Sequence, residues 1–159
     1  MQHNSATSVQ VKEVIQTLSR ATGTTTNSLE IDTRGFQEAL IILNAGTVAA
    51  SSTLDVKVQD TTTSGSGYAD MTSTAFAQVV PANDEQIFVG RIKFNSYTNG
   101  TADKAERFLR VVGVTGGSGA SVYGVTVILL NYAHGTTFDA ISSAFGGAAT
   151  AASLAFNID

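Results

Sequence analysis

The sequence has no cysteine and no tryptophan, a single proline and two histidines among 159 residues. Without cysteine, neither disulfides nor thiolate metal sites are available. Without tryptophan, the strongest base- and sugar-stacking side chain is missing. Charge is scarce too. Charged residues make up 14% of the chain, against about 25% in a typical globular domain. The net charge is -4, with a pI near 5.0. Lysine and arginine never cluster, which speaks against a surface that tracks phosphates, so no nucleic-acid partner is expected. Met1-Gln2-His3-Asn4-Ser5 has neither a basic nor an apolar region of a secretory signal. The longest apolar run, Val125–Leu130, has strand length and falls far short of the ~20 residues of a membrane helix, so no membrane partner is expected.

What remains is a chain that is 43% hydrophobic, with its polar surface supplied by Ser, Thr, Asn, Gln and Gly. Its length suits one domain with a substantial core. A neutral surface repels itself weakly. It suits a protein that lives against other protein, and equally an extracellular module.

The organising signal is a period of two. Leu54-Asp55-Val56-Lys57-Val58-Gln59-Asp60 alternates apolar and polar strictly, the pattern of a strand with one buried face. Val9–Leu18 carries a similar pattern, and its β-branched residues favour a strand over a short helix. Ala21–Asn27 reads as a Thr-rich turn, and Ser28–Asp32 alternates again. Phe36–Asn44 holds the continuous run Ala39-Leu40-Ile41-Ile42-Leu43, which reads as a central strand covered on both faces. Thr61–Thr74 is a long loop. Ala75–Val80 reads as a strand ended by Pro81. Gln86–Asn95 alternates, and Tyr97–Ala105 is a polar loop. Arg107–Thr115 and Ser121–Asn131 are joined by Gly116-Gly117-Ser118-Gly119, which predicts a β-hairpin.

Eight strands at short spacing predict an all-β fold: one antiparallel β-sandwich, jelly-roll-like, over residues 9–134. Residues 1–8 are expected to form an N-terminal arm and 135–159 a C-terminal tail. The tail spaces Phe138, Ile141, Phe145, Leu154 and Phe156 among Ala, Gly and Ser. It is too weakly charged for a conventional disordered tail and too sparse to build a core. Its aromatic residues call for a partner surface on the same subunit, a neighbour or a shell.

Catalytic constellations are absent from this pattern. His3 and His134 have no companion at ligand spacing and read as surface residues. No Gly-x-Ser-x-Gly elbow occurs. Asp60 and Asp70 flank a Gly/Ser/Thr loop but lack the order of a calcium loop, and read as solvated carboxylates. Asp84 and Glu85 are adjacent, and so face opposite ways on an extended chain, which is wrong for an acid/base pair. Gly113–Gly119 lacks the Lys-Ser/Thr ending of a phosphate loop. Tyr68, Tyr97, Tyr123 and Tyr132 are scattered and read as interface or core-edge residues rather than a sugar platform. The chain is therefore expected not to be an enzyme and to hold no cofactor or metal.

The run Phe36–Gly46 leads into Leu54–Asp60; Phe88–Ile92 then precedes Arg107–Val112, and Val125–Tyr132 closes the set. This order resembles the jelly-roll cement, or capsid decoration, proteins of tailed bacteriophages, over roughly residues 9–134. The resemblance implies a virion protein on the capsid exterior. It would be a homotrimer whose partner is the major capsid protein and which clamps neighbouring capsid subunits. Tyr68, Tyr97 and the five apolar tail residues would then line interfaces. A ligand that binds only the assembled lattice stabilises it by RT ln(1 + [L]/Kd), and three tethered contacts add by avidity. The alternatives are a carbohydrate-binding β-sandwich using loop tyrosines such as Tyr68 and Tyr97, or another virion part such as a tail or head-completion protein.

Overall fold

The computed structural model describes residues 8–94 and 105–131. Every regular element among them is a strand. Sheet A is ordered β1-β9-β4-β7, where β1 is Ser8–Arg20, β9 Ser121–Asn131, β4 Glu38–Val48 and β7 Ile87–Lys93. Sheet B is ordered β2-β8-β5-β6, where β2 is Thr25–Asn27, β8 Phe108–Gly117, β5 Ser52–Thr61 and β6 Ala69–Asp70. β3, Ile31–Asp32, also pairs with β8. All pairs are antiparallel.

β2 and β3 are two pieces of one strand position. β2 pairs with Val112–Val114 and β3 with Phe108–Leu109. Between them Ser28 N–H donates to the Val111 carbonyl at 2.8 Å, and Val111 N–H donates to Ser28 Oγ at 2.9 Å. Nine strands thus fill eight places. The chain changes sheet at nearly every connection; β5 to β6 stays within sheet B. That winding is a jelly roll, which closes two sheets over one core.

The alternation in β5 behaves as its period requires. Leu54, Val56 and Val58 are at most 2% exposed, while Asp55 faces solvent and Lys57 and Gln59 are half-buried. Each fully buried side chain of this size contributes about 1.5–3 kcal/mol. They meet Ala39, Ile41 and Leu43 of β4 and Val125, Val127 and Leu129 of β9 in one core cluster.

Five expectations need correction. Thr25–Asn27, read as turn, is β2, because β8 offers it a ladder of partners. Ala75–Val80 is not a regular strand. It makes one bridge, Val79 with Leu54, while Phe76 and Val79 donate N–H groups to Val56 and Leu54. The segment lies along β5 without a continuous ladder. Asp60 is not solvated: it is 3% exposed and accepts the Glu106 N–H at 3.0 Å. β4 is central in sheet A, but only its inward residues are fully buried; Leu40 and Ile42 face outward and are half-buried.

The fifth is topological. β8 and β9 are not a hairpin, since they lie in different sheets. Gly117 has φ +85°, where a side chain is strained. A Cβ there would also sit 2.6 Å from Ser52 Cα. Gly119 N–H donates to Ser52 Oγ at 2.7 Å, and Ala49 N–H to the Ala120 carbonyl at 3.0 Å. This corner is stapled to the β4–β5 turn, and the two turns cross between sheets together.

Candidate interaction surfaces

The outer face of sheet B is a polar network centred on Glu30. Its carboxylate accepts from Ser64 Oγ at 2.7 Å, Gly65 N–H at 2.7 Å and Tyr68 Oη at 2.5 Å. The Ser64 hydroxyl, the Tyr68 hydroxyl and the Gly65 N–H, in that order of weight, hold this carboxyl below the usual carboxylate value. Desolvation, and then the bond to Glu30, push the Tyr68 phenol up to about 12. The Arg110 guanidinium stacks on the Tyr68 ring at 4.2 Å and donates to Gln59 Oε1 at 2.7 Å. Gln59 and Lys57 both donate to Asp70, each at 2.6 Å. Together they lower the Asp70 carboxyl, Lys57 first. Nearby, Arg107 holds the Asp32 carboxyl down at about 2. The loop after β5 is thereby clasped to its own sheet.

The outer face of sheet A is apolar. Register places Val9 and Val11 of β1 opposite Leu130 and Ile128 of β9, and Ile128 opposite Leu40 of β4. Ile42 follows on the same side, opposite Val89 of β7. Val9 and Val11 are 55% and 63% exposed. Within this face Glu38 and Arg91 form a two-pronged ion pair, Nε to Oε2 at 3.0 Å and Nη2 to Oε1 at 2.5 Å. Their side chains are only 7% and 8% exposed, although among the described residues no strand lies over this side of the sheet.

These two faces flank a jelly-roll sandwich. The fold is shared with VP2 of infectious bursal disease virus. Against the crystal structure of the VP2 subviral particle the TM-score is 0.50 at 12% identity, over 80% of this chain and 33% of the other. A structure of the Gx strain of the same virus gives 0.50 at 8% identity, over 82% and 33%. The chain thus spans about a third of the length of the virus chains it matches. At this identity the likeness is one of fold. No protein-family model and no curated protein matches the sequence.

Of the seven interface residues expected from sequence, Tyr68 is the one within the described residues. It is half-buried, with its hydroxyl on Glu30 and its ring under Arg110. Tyr97, Phe138, Ile141, Phe145, Leu154 and Phe156 lie outside the described residues, as do His3, His134 and Tyr132. Tyr123 is a core residue, fully buried, with its ring 4.4 Å from the Arg20 guanidinium carbon. Asp84 and Glu85 brace β4, accepting from Val48 N–H at 2.8 Å and Thr47 Oγ1 at 3.2 Å. Among the described residues no group of three or more His, Asp or Glu side chains could hold a metal.

Sequence reasoning missed the Glu30 hub and the apolar outer face. Glu30 carries no local signal, because its partners lie 34 to 38 residues away. The outer face did leave one: an unbroken apolar run in a two-layer sandwich must turn half its side chains outward.

Proposed function

We propose that this chain is a structural subunit of a virus particle, a decoration protein that binds the capsid exterior as a homotrimer and stabilises contacts between major capsid subunits. The observation that carries the reading is the jelly-roll winding itself, matched by VP2 over four-fifths of the chain. The reading is supported by the low charge, which leaves a neutral surface that repels other protein weakly. In this reading the protein works by burying surface against other protein and performs no chemistry.

The test is size-exclusion chromatography with light scattering, joined to co-sedimentation with assembled capsids. A trimer that pellets with shells, and not with free major capsid protein, is the expected result. A strict monomer that leaves shells in the pellet without it rejects the proposal. The carbohydrate-binding alternative is disfavoured by Tyr68, because Arg110 already occupies one face of its ring. A glycan array on which the protein binds strongly would reverse that preference.

A further inference from the structure

We propose that the outward face of sheet A is the docking site for the chain's own C-terminal segment, residues 136–159. This goes beyond the assignment to a virus particle and stands whichever assembly the protein serves.

The first observation is the face. Val9, Val11, Leu40, Ile42, Ile128 and Leu130 form one apolar surface across three neighbouring strands. Val9 and Val11 are more than half exposed. Continuous outward apolar area on a sheet marks a contact surface.

The second observation is the Glu38–Arg91 pair. It sits on the outward side of the sheet, since Glu38 pairs with Leu130 and Lys93, and Arg91 with Leu40. Side-chain exposures of 7% and 8% are those of an interior ion pair. A two-pronged, charge-assisted pair of this kind suits a covered surface, where charge must be fully matched.

The third observation is where the chain goes. It leaves β9 at Asn131, next to Leu130 and opposite Ser8, at the border of this apolar face. A four-stranded sheet is about 15 Å across at ~4.8 Å strand spacing, and extended chain advances about 3.3 Å per residue, so about five residues cross it. Phe138 is therefore already within reach, and the rest of the segment has length to spare.

The fourth is the segment's composition. Residues 136–159 carry Phe138, Ile141, Phe145, Leu154, Phe156 and Ile158, and their charged side chains are Asp139 and Asp159. Such a stretch gains by lying on an apolar surface. Tethering at Asn131 presents it to its own sheet at an effective concentration in the millimolar range for a short linker. That favours the same subunit over a neighbour.

The absence of cysteine makes the test direct. The double variant Ile42→Cys with Ile141→Cys is treated with a short bis-maleimide in dilute solution, beside a control carrying Lys57→Cys on the other sheet with Ile141→Cys. The expected result is an intramolecular cross-link in the first protein, unchanged by tenfold dilution, and none in the control. No cross-link, equal cross-linking in both, or cross-linked dimers that vanish on dilution would overturn the proposal. As a second measurement, the chain truncated after Gly135 and verified as folded by circular dichroism should bind an apolar fluorescent dye several-fold more strongly than the full chain. Ile42→Lys in the truncated chain should cancel that gain. Unchanged dye binding on truncation would contradict the docking. Both experiments use free protein without capsids, so their failure is separable from failure of capsid binding.

Discussion

At the scale of single residues, a tight fit joins Gly113 of β8 to Tyr123 of β9 across the two sheets. A Cβ on Gly113 would lie 2.7 Å from Tyr123 Cε2 and 2.8 Å from Cζ. The glycine is there because the tyrosine ring fills the space. Gly113→Ala should destabilise the fold by about 1–3 kcal/mol, the cost of overpacking a core, read as a lower melting temperature. The Tyr123 hydroxyl is buried and has no hydrogen-bond partner among the described residues. Tyr123→Phe removes that unmet polar group and keeps the ring, so stability should be unchanged or raised by about 1 kcal/mol. A loss comparable to that of Gly113→Ala would mean the hydroxyl is bonded. Leu54, fully buried at the centre of β5, gives the reference: Leu54→Ala should cost about 2–5 kcal/mol.

At the scale of elements, the loop after β5 is held by carboxylates whose pKa values are depressed. Glu30 and Asp70 lie below their usual values. A depressed group adds stability that is present above its unfolded value and is lost as pH falls through the folded value. The clasp should therefore hold above about pH 4.5, the usual value for Glu30, and loosen as the pH falls below it. Tyr68 works the other way. Its raised value means that its share is full below pH 10 and is lost as pH rises toward about 12. Limited proteolysis within 62–67 should show a protected plateau between these limits. Glu30→Gln should raise cleavage at neutral pH and flatten the acid limb; an unchanged acid limb would show that Glu30 does not hold the loop.

The elements also show what the sequence could reveal. Leu54–Asp60 was legible because burying one face of a strand demands a period of two. Ile92 and Phe94, in and just after β7, were legible for the same reason. Sheet membership was not. Gly116–Gly119 has the composition of a hairpin turn, yet residues with positive φ serve equally to send the next strand to the opposite sheet, as Gly117 does here. Ala75–Val80 has strand composition but keeps one bridge to β5. The clasp was illegible because Glu30 meets Tyr68 and Ser64 only once β3 and β5 are placed around β8. Tyr68 could be picked out as an aromatic residue in a loop, but not as one already engaged.

At the scale of the whole molecule, the two sheets divide the surface. Sheet B turns outward a saturated polar network, with Glu30, Asp32 and Asp70 each paired or hydrogen-bonded. Sheet A turns outward an apolar face with one shielded ion pair. The polar and apolar surfaces are thus segregated by sheet. The proposed role is capsid stabilisation, and its most direct test is the thermal disruption of assembled capsids with and without the purified protein. Saturable binding that raises the disruption temperature is the predicted result. Capsids that break at the same temperature at every protein concentration, with the protein left in the supernatant, would contradict it.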